Sequence, residues 1–167
     1  MRSNVVNKFS IVSRSEDDTA RVAGALAPLL QPGDAIMLKG GLAGGKTNFV
    51  QALVAALGSD TAVTSPTFTL AHFYPTPAGT VLHIDAYRLS SIAEYRDLGL
   101  DDYTFDSITA IEWGDKVERD FPDSLSITFE SIPQDETYRK LTLEASSEHW
   151  LQAMAELRLR LRESLEL

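Results

Sequence analysis

The sequence predicts an α/β fold of three layers, with helices on both faces of a mixed parallel and antiparallel sheet. Segments typical of strands alternate with segments typical of helices, and two pairs of strand-like segments are close enough along the chain to form hairpins. Strand–helix alternation favours parallel pairing under covering helices, whereas hairpins add antiparallel strands. Since no segment resembles a linker or repeats at a fixed period, we expect residues 1–167 to form a single domain.

Composition excludes several classes of protein. The chain has no cysteine, which rules out disulfides, thiolate zinc sites and a cysteine nucleophile. Fifteen Lys and Arg against twenty-four Asp and Glu give a net charge of −9, which disfavours direct binding to nucleic acid. The N-terminus lacks the apolar core of a signal peptide, and no window has the ~18 apolar residues of a membrane span. We therefore expect a cytoplasmic protein that does not bind a membrane.

The N-terminal part predicts a strand followed by a helix. Residues 9–12 have the composition of a short strand, and Ser15 with Asp18 three residues later is typical of a helix N-terminus. The helix is expected to carry Val22, Leu26 and Leu30 on its apolar face, to allow a bend at Pro28, and to end at Pro32-Gly33.

Apolar runs, alternation and turn residues predict the remaining elements. Strands are expected at residues 35–39, 70–74, 80–85, 108–112, 124–130 and 139–145. The second and third of these, and the last two, are expected to pair as antiparallel hairpins. Helices are expected after a glycine-rich segment through Leu57, from Ser91, and from about Ser147, the last with an apolar stripe at Trp150, Met154, Leu157, Leu161 and Leu165.

A phosphate-binding loop is predicted at Gly40-x-x-x-x-Gly45-Lys46-Thr47, between a strand-like run and a helical pattern. In such a loop, glycines let backbone N–H groups turn toward a β-phosphate, the lysine reaches the β- and γ-phosphates, and the hydroxyl binds Mg²⁺. The helix that follows directs the positive end of its dipole at the same anion. This context favours a nucleotide site over a glycine-rich turn with a surface lysine. The expected nucleotide-binding residues of the loop are Gly40, Gly41, Leu42, Ala43, Gly44, Gly45, Lys46 and Thr47.

Two acidic residues are candidates for the Mg²⁺ site. Val81–Asp85 and Ile108–Glu112 both have the pattern of a buried strand that ends in a carboxylate. A P-loop needs such a carboxylate at the end of a neighbouring strand. Either acid taken singly could instead cap a turn, but we do not expect both to be structural. The residues alone leave open which acid contacts the metal.

The nucleotide is expected to be ATP, because the chain lacks the Asp-x-x-Gly and Asn-Lys-x-Asp motifs of typical GTPases. No transition-metal site is predicted, since His72, His83 and His149 lack the spacing of a metal cluster. His83 is expected to be a hydrogen-bonded core or cleft residue. Trp113 is expected in the core, with packing against a partner as the alternative.

Four motifs, taken together, resemble the TsaE family, the P-loop ATPase component of the bacterial machinery that makes threonylcarbamoyladenosine in tRNA. They lie at residues 38–47, 65–68, 83–88 and 111–113, in the order and approximate spacing of the family, within a match from about residue 15 to 145. The resemblance implies a mixed-sheet α/β ATPase that binds ATP and Mg²⁺. It also implies TsaB and TsaD as partners, the pair that transfers threonylcarbamoyl to tRNA adenosine, with tRNA contacted only through that complex.

The resemblance also assigns expected roles to single residues. The implied Mg²⁺ ligands are Thr47 and Glu112, the implied catalytic or switch residues near the γ-phosphate are Lys46, Asp85 and Thr67, and the implied neighbours of the base and sugar are Asp17 and Arg139. These roles are carried over by position, and two of the residues lie outside the four motifs: Asp17, which opens the first helix, and Arg139, in the Arg-Lys-Leu-x-Leu segment.

The loop departs from the usual family pattern, Gly-Asp-Leu-Gly-Ala-Gly-Lys-Thr. Gly41 replaces the acid, and Ala43-Gly44 inverts the Gly-Ala pair. After the second strand-end acid, Gly114-Asp115 replaces the usual Pro-Glu. We expect ATP binding to tolerate these changes better than turnover does.

Two other functions stay open. A stand-alone small-molecule or nucleoside kinase would use ATP only with a phosphate acceptor, and an ATP-gated adaptor would bind ATP with negligible hydrolysis. Small-molecule kinases close an arginine-bearing lid over the phosphates, whereas Arg158, Arg160 and Arg162 here fall on a helical pattern and are expected to be solvated. The leading expectation is an ATPase subunit that is slow alone and stimulated by partner proteins.

Overall fold

The computed structural model describes residues 7–41, 45–64 and 70–165, with the side chains of residues 164 and 165 left aside. Within these residues a mixed seven-stranded sheet confirms the predicted α/β fold. The strands are β1 (Asn7–Ser13), β2 (Ala35–Gly40), β3 (Ala71–Tyr74), β4 (Val81–Asp85), β5 (Ile108–Glu112), β6 (Leu125–Ile132) and β7 (Asp135–Ala145). The α-helices are α1 (Glu16–Leu26), α2 (Lys46–Ala56), α3 (Ile92–Asp97), α4 (Asp101–Thr104) and α5 (Glu148–Leu165).

The strand order across the sheet is β1-β7-β6-β2-β5-β4-β3. The four central strands, β6, β2, β5 and β4, run parallel, and the predicted hairpins β3–β4 and β6–β7 add antiparallel neighbours on either side. Because parallel strands end at the same edge of a sheet, the carboxyl ends of β2, β4 and β5 lie side by side. Ligands of open α/β sheets bind outside this edge.

Alternation along the central strands builds two cores, one on each face of the sheet. Ile36 and Leu38 of β2 pack with α1, α2 and α5, whereas Met37 faces the other side with Tyr95 of α3 and Val117. The predicted apolar stripe of α5 closes the first core through Trp150, Met154, Leu157 and Leu161. The two cores make the predicted three layers.

The first helix is shorter than predicted. Ser15 caps it as expected, since its Oγ accepts a hydrogen bond from the backbone N–H of Asp18 at 3.1 Å. The helix ends at Leu26, and the turn Ala27–Leu29 continues as a 3-10 helix. The expectation that Leu30 extends the helical face is therefore wrong, because Leu30 is extended. Pro28 lacks an N–H and its ring crowds the preceding turn, so the α-helix ends here.

Other differences concern the ends of elements. β3 begins one residue later than predicted because Leu70 has a φ of +67°, outside the strand region. The single turn α4 is an element that the sequence analysis does not predict. Of the helices in the described ranges, none combines the length and hydropathy needed to cross a bilayer.

Candidate functional site

The glycine-rich loop joins β2 to α2 at the carboxyl edge of the sheet. Gly40 ends β2 with a φ of +128°, and a Cβ at this position would overlap the carbonyl oxygen of Phe129. Gly45 precedes α2 with a φ of +95°, a conformation that glycine adopts without strain. The N–H groups of the first turn of α2 therefore emerge beside the strand end. The predicted nucleotide-binding residues Leu42, Ala43 and Gly44 lie outside the described residues.

Lys46 is a buried cation at the start of α2. Its Nζ donates hydrogen bonds to the carbonyl oxygens of Gly40 at 3.1 Å and Gly41 at 2.7 Å. The same Nζ lies 4.3 Å from the centroid of the Trp113 ring, within cation–π range. The lysine therefore folds back along its own loop, where carbonyl oxygens and an indole compensate its charge.

The electrostatic surroundings of Lys46 act in two directions. Burial lowers the pKa of this lysine, because an ammonium group loses solvation inside the protein. Three carboxylates oppose the effect by attraction, in decreasing order Glu112, Asp85 and Asp115. The site therefore brings one lysine together with the two strand-end acids that the sequence singles out.

Glu112 connects three elements of the site. Thr47 of α2 donates a hydrogen bond from Oγ1 to Oε1 of Glu112 at 2.9 Å. On the other side, Nε2 of His83 in β4 lies 2.6 Å from Oε2. Glu112 is only 5% exposed. The structure thus brings the two predicted Mg²⁺ ligands, Thr47 and Glu112, into direct contact.

Asp85 lies next to Glu112 but makes a different contact. The two acids are register partners on the parallel strands β4 and β5. Oδ1 of Asp85 accepts a hydrogen bond from the backbone N–H of Tyr87 at 2.9 Å, which stabilises the turn after β4. Asp85 is therefore near the loop lysine while its carboxylate also holds a turn.

An aromatic pair packs between the ends of β4 and β5. The ring centroids of Tyr87 and Trp113 are 4.9 Å apart. Trp113 has a φ of +59°, a left-handed conformation that is costly for a side chain of this size. The indole packs against the smaller core, as expected, and it also contacts Lys46. The contact with the lysine is one that the sequence analysis does not predict.

The other predicted residues belong to α1, β7 and a segment outside the described residues. Asp17 belongs to the first turn of α1, and Asn48 of α2 donates a hydrogen bond to neighbouring Glu16 at 3.2 Å, which joins the N-terminal ends of the two helices. Arg139 pairs in register with Ser13. What Asp17 and Arg139 do toward a nucleotide stays a prediction. Thr67 lies outside the described residues.

The donor set fits a nucleotide bound with Mg²⁺. A threonine hydroxyl and a carboxylate are hard oxygen ligands, and Mg²⁺ is usually held by one or two carboxylates together with phosphate oxygens. The buried ammonium of Lys46 and the N-terminus of α2 both favour a phosphate group at the loop. Gly40, where a Cβ would meet backbone, keeps this turn tight.

Sequence reasoning missed the role of His83 at this site. It predicts a hydrogen-bonded core or cleft residue, which the structure confirms, but it does not name Glu112 as the partner. The signal was available, because alternate residues of a strand share a face and His83 precedes Asp85 by two positions. The neighbouring strand brings Glu112 to the same face through the register of β4 and β5.

Comparisons with known proteins identify relatives of this chain. The family model described as "Threonylcarbamoyl adenosine biosynthesis protein TsaE" matches residues 13–141. A relative from Treponema pallidum (strain Nichols) is 41% identical over 113 residues, covering 67% of this chain and 83% of its own length. Another from Aquifex aeolicus (strain VF5) is 38% identical over 135 residues, covering 80% and 93%. Both carry the name tRNA threonylcarbamoyladenosine biosynthesis protein TsaE.

The fold has a match among solved structures. A crystal structure of Bacillus subtilis YdiB resembles this chain with a TM-score of 0.77 and 26% identity, covering 94% of this chain and 98% of that one. The matched residues include the glycine-rich loop, β4 and β5. They therefore include Lys46, Thr47, His83, Asp85 and Glu112. The chain belongs to the TsaE family of tRNA threonylcarbamoyladenosine biosynthesis proteins.

Proposed function

We propose that this protein is an ATP-binding and ATP-hydrolysing subunit that supports threonylcarbamoyl transfer to tRNA adenosine by TsaB and TsaD. The observation that carries the proposal is the contact between Thr47 and Glu112 beside the buried ammonium of Lys46. A hydroxyl, a carboxylate and a lysine at the N-terminus of a helix are the groups that a P-loop uses for a nucleoside triphosphate with Mg²⁺.

Each residue has a defined task in this proposal. Thr47 and Glu112 would hold Mg²⁺, which would supply positive charge to the phosphates. Lys46 releases the carbonyls of its own loop and offsets phosphate charge instead, in a setting where burial strengthens Coulomb attraction. Asp85, next to Glu112 at the same edge, is the group that orients the attacking water.

Partners are part of the proposal because the chain is poorly equipped for fast hydrolysis alone. Phosphoryl transfer needs positive charge near the γ-phosphate, and an arginine supplied by a partner can raise the rate by about 10³–10⁵. Arg88 follows β4, but its side chain is exposed, where water screens its charge. We expect TsaB–TsaD to supply the missing charge or to order the site. With a net charge of −9, this chain should reach tRNA through those partners.

A phosphate-release assay tests the proposal. The wild type should hydrolyse ATP slowly alone and clearly faster with TsaB–TsaD, whereas a panel of small-molecule phosphate acceptors should have no effect. Stimulation by an acceptor but not by TsaB–TsaD would make the protein a kinase, and ATP binding without turnover in any mixture would make it an adaptor.

Two lysine variants make the assay specific for the loop. Lys46→Met should remove the stimulated activity, because the variant loses the ammonium beside the loop. Lys39→Met is the matched control: Lys39 precedes the loop in β2 and bonds the exposed Glu118 at 2.7 Å. This control should keep wild-type activity. Equal activity of Lys46→Met and the wild type would mean that the phosphate release does not come from this loop.

A further inference from the structure

His83 is fully buried in β4, with an exposed fraction of 0%. Its Nε2 lies 2.6 Å from Oε2 of Glu112, and Oε1 of the same carboxylate accepts from Thr47 at 2.9 Å. Both oxygens of Glu112 therefore have a hydrogen-bond partner, one in β4 and one in α2. A carboxylate fixed at both oxygens has little freedom to rotate about its last bond.

The direction of the His83–Glu112 hydrogen bond depends on which ring nitrogen carries hydrogen. An ionised carboxylate only accepts hydrogen bonds, so donation to it needs hydrogen on Nε2 of the imidazole. The other ring nitrogen, Nδ1, is buried and has no hydrogen-bond partner among the described residues. In the tautomer with hydrogen on Nε2, Nδ1 carries a lone pair rather than an N–H. It is then this lone pair that has no partner among the described residues.

Core filling does not explain a histidine at this position. A leucine would occupy a similar volume among the apolar neighbours of β4 without burying a polar nitrogen. A buried polar atom that lacks a partner costs stability, so the gain from His83 must come from the hydrogen bond that it does make. That bond leads to Glu112 and through it to Thr47.

We propose that His83 is a positioning residue that orients Glu112 as a Mg²⁺ ligand, an inference that rests on the proposed function. Donation from Nε2 to Oε2 would hold the carboxylate with Oε1 against the hydroxyl of Thr47, so that the two oxygens stay side by side. Hydrogen bonds that orient the ligands of a metal typically affect its affinity by about 10–100-fold when they are removed. The inference also separates the two strand-end acids, because Glu112 is the one that His83 holds.

Two amide substitutions test the role with matched chemistry. In His83→Gln the side-chain amide nitrogen reaches about as far as Nε2, and in His83→Asn it reaches only about as far as Nδ1. Both variants bury an amide, but only the glutamine can donate to Glu112. His83→Leu removes the donor altogether, and Leu82→Ala, a change in the smaller core on the opposite face of β4, controls for loss of stability.

Binding of the non-hydrolysable analogue AMP-PNP is measured by calorimetry over a series of Mg²⁺ concentrations, and unfolding is followed in parallel. We expect the Mg²⁺ concentration at half-maximal binding to rise about 10–100-fold in His83→Asn and His83→Leu. In His83→Gln this Mg²⁺ concentration should return most of the way to the wild-type value. In Leu82→Ala it should equal the wild-type value. Binding in the presence of EDTA should be the same in all folded variants.

Three results would overturn the positioning role while the wild type binds AMP-PNP with Mg²⁺. The first is a wild-type Mg²⁺ midpoint in His83→Asn. The second is a loss of AMP-PNP affinity in His83→Asn that is the same with Mg²⁺ and with EDTA. The third is a rise of the Mg²⁺ midpoint that is the same in His83→Asn and His83→Gln. If the wild type itself shows no Mg²⁺-dependent binding, the proposed function fails, and the His83–Glu112 hydrogen bond is then judged by spectroscopy alone. Should His83→Leu not fold, the Asn and Gln pair decides the question.

A spectroscopic measurement reports on the hydrogen bond without any nucleotide. In ¹⁵N-labelled protein, the proton of the His83 imidazole should be found on Nε2 and should exchange slowly with water, because the ring is fully buried. A proton on Nδ1 with Nε2 bare would exclude donation to Glu112 and would overturn the inference. This signature persists even if ATP proves not to be the nucleotide, so the two failures are told apart.

Discussion

The ends of β4 and β5 have the same sequence form but different structures. Each strand is a buried apolar run that ends in an acid, and the two acids are register partners. At the end of β5, Glu112 bonds Thr47 and His83 from two other elements. At the end of β4, the described contact of Asp85 is with the backbone N–H of Tyr87, two residues further on. One acid joins elements, and the other holds a local turn.

The difference teaches that a strand-end carboxylate acquires its role from what the sheet topology brings near it. β5 is the direct neighbour of β2, so its end lies beside the loop and the first turn of α2. β4 is one strand further away, and its acid reaches the site from the side. The contact with Thr47 favours Glu112 as the predicted Mg²⁺ ligand. The role of Asp85 in orienting water stays a prediction.

The largest expected effect concerns turnover in Asp85→Asn. Asparagine keeps an oxygen that can accept from Tyr87, so the turn after β4 is preserved while the negative charge is lost. If Asp85 orients or deprotonates the attacking water, partner-stimulated ATP hydrolysis should fall by about 10²–10⁴-fold, the usual contribution of such a group. Single-turnover phosphate release measures this, with AMP-PNP binding as the control that should change little. Wild-type turnover in Asp85→Asn would remove Asp85 from the chemistry.

Glu112→Gln should change Mg²⁺ dependence. Glutamine is isosteric and can still accept from Thr47, but it is a neutral and weaker ligand for Mg²⁺. The Mg²⁺ midpoint for AMP-PNP binding should rise by at least the ~10–100-fold expected for losing an orienting hydrogen bond. Asp85→Asn should leave the midpoint close to wild type. If Asp85→Asn abolishes Mg²⁺ dependence and Glu112→Gln keeps it, the two acids exchange roles.

Much of the fold was predictable because its signals are local. The alternation in residues 124–130 and 139–145 indicated β6 and β7, and the serine cap at Ser15 indicated the start of α1. The end of α1 was misjudged because apolar spacing continues to Leu30 while the backbone cannot pass Pro28 as a helix. The order of strands in the sheet was not predicted, since it depends on contacts between distant segments.

The residues alone predict the residue types of the site, whereas the pairing of Thr47 with Glu112 comes only from the family resemblance. The loop motif identified Lys46 and Thr47, and the strand-end pattern identified both acids. Which acid bonds Thr47 depends on β5 lying between β2 and β4, information that no single motif contains. The contact of Lys46 with Trp113 depends on the left-handed backbone of that tryptophan, a conformation that its residue type does not favour.

The smallest expected effect compares the two acids through the pKa of Lys46. Burial lowers this pKa, and Glu112 raises it more than Asp85 does. Removing either negative charge should therefore lower the pKa of Lys46 further. We expect this pKa to be highest in the wild type, lower in Asp85→Asn and lowest in Glu112→Gln. An NMR titration of the Lys46 Cε resonance in the three proteins measures the order. Equal pKa values of Lys46 in the two variants would contradict the stronger attraction of Glu112.

The same shift has a consequence for stability, whose sign can be stated. A lysine with a lowered pKa in the folded state binds fewer protons there than in the unfolded chain, at pH values between the two pKa values. In that window its contribution makes the free energy of unfolding increase with rising pH. Urea unfolding of the wild type and Lys46→Met is measured from neutral to alkaline pH. The free energy of unfolding of the wild type should increase relative to that of the variant as the pH rises. Because the pKa of Lys46 is expected to be lowest in Glu112→Gln, the free energy of unfolding of this variant should begin to rise, relative to Lys46→Met/Glu112→Gln, at the lowest pH. The matched comparison is Asp85→Asn with Lys46→Met/Asp85→Asn. If the rise began at a higher pH for Glu112→Gln than for Asp85→Asn, the ranking of the two acids would be reversed.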